Sequence, residues 1–105
     1  MKKKLPPIHP GEQLREEFMI PLGLSSNALA RALNVTPARI NEIARGRRGI
    51  SADTALRLAR FFNTSHQFWL NLQSNYDVQC AEDLAGQVIA RIQPFQSAVE
   101  HGAVA

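Results

Sequence analysis

Residues 25–48, SSNALARALNVTPARINEIARGRR, constrain the fold more than any other stretch, because they encode two short helices and the turn between them. Ser25 supplies the N-cap of a first helix, and Thr36 with Pro37 supplies the N-cap and first turn of a second. Asn34 lies between them, and asparagine readily adopts the left-handed conformation that ends a helix. The stretch therefore predicts two helices joined by a tight turn.

The apolar residues of this stretch are spaced so that the two helices pack on each other. In the first helix, Leu29 and Leu33 are four residues apart. In the second, Ile40 and Ile43 are three apart, so each helix presents one apolar stripe to a shared core. Ala30 supplies the small side chain required where two helices cross at close to a right angle.

Positive charge is concentrated on this pair of helices. The chain has a formal net charge of +3, while residues 25–48 alone carry five arginines and one glutamate. Localised positive charge is expected of a phosphate-binding surface, and a major groove about 12 Å wide admits one such helix. A solvated face on an ordinary helical hairpin is the alternative. The helix caps, the turn, the alanine at the helix crossing and the arginines that follow the second helix all agree. This agreement favours a DNA-binding helix-turn-helix.

The whole chain suits one all-α domain. Its 105 residues, 45% of them hydrophobic, are enough for one modest core, and no linker or repeat is evident. No segment alternates with period two, so strands are not expected. We predict a flexible basic arm at 1–8, a helix-turn-helix domain at 9–92 with its motif at 25–48, and a flexible tail at 93–105.

Four further helical regions flank the motif, and the last two can form one helix. The first, residues 9–23, begins at a His-Pro-Gly-Glu sequence and ends at Pro-Leu-Gly. A helix over 51–63 is capped by Ser51 and is expected to be mostly buried through Ala55, Leu56, Ala59 and Phe62, with Leu58 and Phe61 widening the band. A fifth helix is predicted to about residue 76 and a further one over 77–92, which gives five to six helices.

Adjacent aromatic residues occupy the fifth helix. Phe68 and Trp69 point about 100° apart, so one can enter the core while the other faces a second protomer. Large aromatics are enriched at interfaces, although each is more often plain core. Core packing and dimer contact, by this helix or the next segment, therefore both remain open. The candidates for dimer contact are Phe68, Trp69, Leu72 and Tyr76.

Several classes of protein are not expected. Cys80 is the only cysteine, so neither an intrachain disulfide nor a thiolate zinc cluster is predicted. No apolar run approaches the length of a membrane span. The N-terminal lysines are not followed by the apolar segment of a signal peptide, so a cytoplasmic protein is expected. The histidines are far apart, and no metalloprotease pattern, phosphate-binding glycine loop or nucleophile elbow is present. We therefore expect no enzyme, no metal and no cofactor.

Three blocks of sequence together resemble one known family. They are His9-Pro10-Gly11-Glu12, Gly46-Arg47-Arg48-Gly49-Ile50-Ser51, and FWLNLQ at 68–73 with Tyr76-Asp77. Residues 8–77, about two-thirds of the chain, resemble the HigA antitoxins. These are also known as the VapI-like group of lambda-repressor-like, Xre-type helix-turn-helix proteins. The resemblance implies a homodimeric antitoxin that binds a HigB-type toxin, an mRNA-cleaving ribonuclease, and represses its own operon through an operator palindrome.

The same resemblance implies a set of DNA-binding residues. Ser26 and Asn27 fall at the phosphate-contacting start of the first motif helix. The recognition helix and its exit contribute Thr36, Pro37, Ala38, Arg39, Asn41, Glu42, Arg45, Arg47 and Arg48. Proline and alanine stand at 37 and 38, where related repressors often have glutamines. Base readout is therefore expected to shift to Arg39, Asn41 and Glu42, or to a thymine methyl against Ala38.

One alternative to this assignment remains, and the toxin-binding surface is open. The chain can be a stand-alone Xre-type regulator with no toxin partner, which the neighbouring reading frame would reveal. If it does bind a toxin, the residues themselves do not identify the surface. The candidates are an acidic face at Glu12, Glu16 and Glu17 and an acidic segment at Asp77, Glu82 and Asp83; a solvated helix face is the more ordinary interpretation of each.

Overall fold

The computed structural model describes residues 5–96. Within that range the chain forms five helices and no strand, so the all-α prediction is confirmed. The outer parts of the predicted arm and tail, residues 1–4 and 97–105, lie outside the described residues. Residues 5–8 and 93–96 have no helix. The domain boundaries proposed from the sequence stay predictions.

The helices begin at the residues that the capping pattern indicates. They are α1 (Pro10–Leu14, continued by a π-helical turn at Arg15–Met19), α2 (Ser26–Leu33), α3 (Pro37–Ala44), α4 (Ala52–Phe62) and α5 (His66–Ala90). Side chains of the N-cap residues accept backbone N–H groups at all five starts. Asn34 and Asn63 end α2 and α4 with φ of 60° and 59°. Both asparagine stops are therefore confirmed.

The last helix differs from the sequence-based prediction. α5 runs unbroken for 25 residues, so the break predicted between residues 76 and 77 is wrong. The apolar pattern changes there because only the first part of the helix packs on the core. The backbone continues because this stretch contains no proline and Gly86 as its only glycine.

The core is built around Trp69, whose side chain is 0% exposed. The rings of Phe18 and Trp69 lie 4.8 Å apart and those of Phe62 and Trp69 6.0 Å apart. The indole N–H donates to Thr64 Oγ1 at 2.8 Å, so its polar atom is satisfied. The prediction that Trp69 contacts a second protomer is therefore wrong, because its own protomer encloses it. Phe68, at 39% exposed, is the aromatic that faces outward.

The outer side of α4 is less buried than its apolar pattern predicts. Ala55 and Leu58 are fully enclosed, while Leu56 and Phe61 remain largely exposed. The difference arises because α4 packs mainly on α2 and α5, which leaves Leu56 57% and Phe61 43% exposed. The buried stripe is therefore narrower than the apolar band in the sequence.

Gly11 brings the first turn of α1 against the backbone of α3. A Cβ added at Gly11 would lie 1.7 Å from the carbonyl oxygen of Ile43 and 2.6 Å from its carbonyl carbon. Only glycine permits so close an approach of two backbones. This backbone contact with α1 therefore fixes the position of α3, and any side chain at residue 11 would disrupt it.

His9 joins three elements beneath the motif. Its Nδ1 accepts the N–H of Gly11 at 2.8 Å and so caps α1. Its ring packs edge-on against Tyr76 of α5, with centroids 4.8 Å apart, and lies beside Gly46, which follows α3. Burial lowers the pKa of His9, and the charge of Asp77 opposes this effect. The cap needs a free lone pair on Nδ1, so neutral imidazole is the form that fits.

His9 is expected to make stability depend on pH. Its pKa is lowered below the ordinary 6.5 in the folded chain, so protonation favours the unfolded chain. The contribution of His9 to the free energy of unfolding is complete above about pH 6.5, and it is lost as the pH falls toward the folded-state pKa. His9→Asn keeps a capping side chain but does not titrate. Between pH 7.5 and 5.5, the Tm of thermal unfolding should therefore fall more steeply in the wild type than in the variant. Parallel profiles of Tm against pH would contradict this.

Candidate nucleic-acid interface

The starts of α2 and α3 are both capped by local hydrogen bonds. Ser25 Oγ accepts the N–H of Ala28 at 3.0 Å, and Thr36 Oγ1 accepts the N–H of Arg39 at 3.2 Å. Asn34 reverses the chain between the two helices in the left-handed conformation, with φ 60° and ψ 47°. Ala30 is fully buried, as expected of a residue at a helix crossing. The helix-turn-helix predicted from the sequence is therefore present.

The outer face of α3 is polar and accessible. Pro37, Ala38, Asn41 and Arg45 are exposed, while the inner stripe of Ile40, Ile43 and Ala44 is buried. Of the remaining predicted DNA-binding residues, four are exposed: Asn27, Thr36, Arg47 and Arg48. Ser26, Arg39 and Glu42 are partly buried. The face that the helical period predicts for groove contact is the one that the fold leaves open.

Arginines at the exit of α3 differ in how they are held. Arg48 contacts Glu42 Oε1 through Nε at 2.8 Å and through Nη2 at 2.7 Å. Within the described residues, no hydrogen bond or ion pair holds the side chain of Arg45 or Arg47. Arg45 and Arg47 are thus free to contact phosphates. Glu42, predicted to read bases, is instead occupied by an arginine of its own chain.

Arg39 is also held within the protomer. Its Nη1 donates to Asp53 Oδ2 at 2.7 Å and to Thr54 Oγ1 at 3.3 Å, and its side chain is 29% exposed. Asp53 and Thr54 both belong to the first turn of α4, which follows the motif. The guanidinium therefore lies between the start of the recognition helix and the start of α4. Hydrogen bonds from Arg39 and Arg57 lower the pKa of Asp53, which keeps the carboxylate ionised.

Arginines from outside the motif cap the C-terminal ends of both motif helices. Arg57 of α4 donates through Nη1 to the carbonyl oxygen of Leu33, the last residue of α2, at 2.9 Å. Arg15 donates through Nη1 to the carbonyl oxygen of Ala44, the last residue of α3, at 2.5 Å. A cation at a helix C-terminus satisfies orphan carbonyls and complements the helix dipole. The two motif helices are thus held from both flanks.

Gln73 of α5 holds the loop that leaves the recognition helix. Its Oε1 accepts the N–H of Ile50 at 2.7 Å, and its Nε2 donates to Asp77 Oδ1 at 2.9 Å. A Cβ at Gly49 would lie 3.0 Å from Gln73 Oε1, so the loop is tight against this side chain. Sequence reasoning gave Gln73 a place in a family block but no role. The contact joins residues 23 apart, which no local pattern shows.

The remaining dimer candidates differ in accessibility. Phe68 is exposed, whereas Leu72 and Tyr76 are partly buried, the latter against His9. Beyond Tyr76 the helix carries exposed apolar side chains that no other described element covers. These are Val78, Leu84, Val88 and Ile89, followed after the helix by Ile92 and Phe95. The larger apolar surface therefore lies further along the chain than the residues named from the sequence.

Residues 5–96 contain neither a metal-binding cluster of side chains nor a membrane-spanning helix. No three acidic, histidine or cysteine side chains in that range cluster closely enough to bind an ion. None of the described helices combines the length and apolar character that a bilayer span requires.

Comparison with known proteins places this surface in a family context. Residues 13–69 match the sequence profile of the family HTH_3, helix-turn-helix. Virulence-associated protein I of Dichelobacter nodosus is 60% identical over 81 residues, 77% of this chain and 75% of that protein. The Pseudomonas aeruginosa antitoxin HigA, solved with the higBA promoter, is 52% identical over 86% of this chain and 99% of its own, with a TM-score of 0.81. The antitoxin GraA in complex with its operator is 47% identical over 92% of this chain and 99% of its own, also with a TM-score of 0.81.

Proposed function

The chain belongs to the helix-turn-helix family, among the Xre-type, lambda-repressor-like proteins that include the HigA antitoxins, and we propose that it is an antitoxin that represses its own operon. Relatives in this family are regulators and antitoxins and not enzymes. The observation that carries the proposal is the exposed face of α3. Arg45, Arg47 and Arg48 lie at the end of this helix, and Arg15 and Arg57 cap the C-terminal ends of the two motif helices. Its likeness to structures of HigA with a promoter and GraA with an operator supports DNA as the partner.

In the proposed complex, α3 enters the major groove. Ala38, Asn41 and Arg39 lie near its N-terminal half, where side chains of recognition helices reach base edges. Arg45 and Arg47, free of partners in the described part of the chain, contact phosphates on either side of the groove. Two protomers related by a two-fold axis read half-sites about 34 Å apart. An operator palindrome is the matching DNA.

DNA binding is tested by titrating the purified protein against a duplex of its own upstream region. A scrambled duplex of equal length and composition is the control, and each titration is run at two salt concentrations. We expect tight binding to the upstream duplex at two protomers per site, and weak, strongly salt-dependent binding to the scrambled one. Equal salt-sensitive binding to both duplexes would remove the repressor proposal and leave only a basic surface.

The toxin partner is proposed on the family alone and has a separate test. A HigB-type ribonuclease encoded beside this chain should co-purify with it and lose activity in the complex. Glu12, Glu16 and Glu17 of the first helix are all exposed and remain one candidate surface for a basic partner. If no such reading frame adjoins the gene, or its product does not bind, the stand-alone regulator becomes the better account.

The homodimer is proposed to form through the outer half of α5. Leu84 and Val88 are four residues apart, on one helix face, and are 89% and 61% exposed. A contiguous apolar face of this kind marks an interaction site on a soluble protein. A second copy is the occupant that the proposed operator symmetry requires. Phe68, Leu72 and Tyr76 stay candidates for a smaller contribution.

Leu84→Lys is expected to convert the dimer to a monomer. Burying a lysine on a self-complementary face places two like charges together without partners, because the symmetry repeats every contact. Sedimentation velocity at micromolar protein should give the monomer mass for this variant and the dimer mass for the wild type. Leu22→Lys, at an exposed leucine outside α5, is the matched control and should remain a dimer. A dimeric Leu84→Lys protein would place the interface elsewhere.

A further inference from the structure

Asp53 connects the recognition helix to the end of α2 although it lies outside the motif. Its Oδ2 accepts Nη1 of Arg39 at 2.7 Å and Nε of Arg57 at 2.9 Å. Arg57 then donates to the carbonyl oxygens of Leu33 and Asn34, at 2.9 and 3.3 Å. One carboxylate therefore links the first turn of α3, the first turn of α4 and the residues at which α2 ends.

The network fixes one edge of the Arg39 guanidinium and leaves the rest of it available. Nη1 is shared between Asp53 Oδ2 and Thr54 Oγ1. Thr54 is 2% exposed and its Oγ1 also accepts from Ser51 Oγ, so this second acceptor is itself fixed. A guanidinium carries five N–H donors in a rigid plane. With Nη1 anchored, the Nε and Nη2 donors of Arg39 have no hydrogen-bond partner within the described residues.

An orienting contact matters more for Arg39 than for a phosphate-binding arginine. Reading a guanine requires two parallel hydrogen bonds to O6 and N7, so the plane of the guanidinium must be correct. A free arginine loses several rotatable degrees of freedom when it adopts that geometry, and a pre-oriented one loses fewer. Arg45 and Arg47 have no such anchor in the described part of the chain, in keeping with contacts to phosphate that tolerate many orientations.

We propose that Asp53 is a positioning residue that orients Arg39 for base readout and thereby sets the sequence preference of the recognition helix. The inference rests on the proposed DNA-binding function. A stabilising role alone accounts poorly for the contact, because partly exposed ion pairs contribute little to folding and Asp53 is 55% exposed. A carboxylate beside DNA also repels phosphates, and its favourable place in the first turn of α4 does not by itself require a contact with Arg39.

The two possible roles of this carboxylate predict opposite changes in operator affinity for Asp53→Asn. If Asp53 only adds negative charge, its removal tightens binding to every duplex. If it orients Arg39, its removal weakens binding to the operator by roughly tenfold, the loss expected when a bidentate contact is degraded, and does not weaken binding to a scrambled duplex. We expect the ratio of the two affinities to fall. Leu22→Lys, which raises the net charge by the same one unit at an exposed residue outside the motif, should leave that ratio unchanged.

A second variant and a double mutant complete the test. Asp53→Glu retains a carboxylate and should recover part of the discrimination. In an Arg39→Ala background, Asp53→Asn should cause no further loss of discrimination, because the residue that it positions is absent. Thermal unfolding of each sample shows whether the fold is retained.

Some outcomes would overturn the inference. They are equal changes in affinity for both duplexes on Asp53→Asn, or the same loss of discrimination with and without Arg39. A third is an Asp53→Glu protein that is folded but no more selective than Asp53→Asn. If the wild type itself fails to distinguish its upstream duplex from the scrambled one, the proposed function fails instead. The two failures are therefore separable within one set of titrations.

Discussion

Arg39→Ala is expected to lower operator affinity by about five- to a hundredfold and to relax the base preference at one position of each half-site. The range follows from the roughly 1–3 kcal/mol of discrimination carried by a bidentate arginine–guanine contact. Arg39 lies in the first turn of α3, and its guanidinium is anchored on one edge only. Competition titrations against operators with single base-pair substitutions measure both effects.

Arg47→Ala is the matched control for this variant. Arg47 follows α3, is exposed, and has no side-chain partner in the described part of the chain. Its loss should weaken binding to all duplexes by a similar factor and reduce the salt dependence by about one unit of slope. An Arg39→Ala protein that binds every operator variant as the wild type does would show that the readout face is misplaced.

Gly11→Ala is expected to destabilise the domain by about 3 kcal/mol, near the upper end of the usual cost of overpacking. The added methyl would overlap the carbonyl group of Ile43, and that group belongs to the backbone of α3 and not to a movable side chain. For a domain of this size the loss corresponds to a fall in Tm of more than about 10 °C. Differential scanning calorimetry measures it directly.

Gly86→Ala makes the same chemical change where the structure has room. No heavy atom lies within 4 Å of a Cβ added at Gly86, which is inside α5. Alanine is the better helix former, so this variant should gain about 0.5–1 kcal/mol. Opposite signs for Gly11→Ala and Gly86→Ala would establish the backbone contact between α1 and α3; a neutral Gly11→Ala would contradict it.

Local chemistry made most of the fold predictable. A capping side chain acts on N–H groups two or three residues away, so Ser25, Thr36 and Ser51 identify helix starts without tertiary information. The left-handed residues Asn34 and Asn63 likewise act on their own turns. α5 was predicted incorrectly because apolar period reports what a helix packs against, and its outer half packs against nothing within the described protomer.

The candidate site was predictable as a face but not as a set of contacts. The helical period separates the buried Ile40 and Ile43 from the exposed Asn41, and this requires only the sequence. Which carboxylate a long arginine reaches depends on how the helices cross. Arg39 and Asp53 are 14 residues apart, and Arg15 and Ala44 are 29 apart. Such pairs became visible only once the fold was known.

The unbroken course of α5 has a geometric consequence for the proposed dimer. Gln73, which holds the exit of the recognition helix, and Leu84 lie on one rod about 16 Å apart along its axis. Inserting one residue between them would turn the far end by about 100° and advance it by about 1.5 Å. An insertion of four residues would nearly restore the angle while lengthening the rod by about 6 Å. In the proposed dimer, the number of residues between Gln73 and Leu84 is therefore expected to set the distance between the two recognition helices, and with it the operator spacing, largely independently of which residues they are.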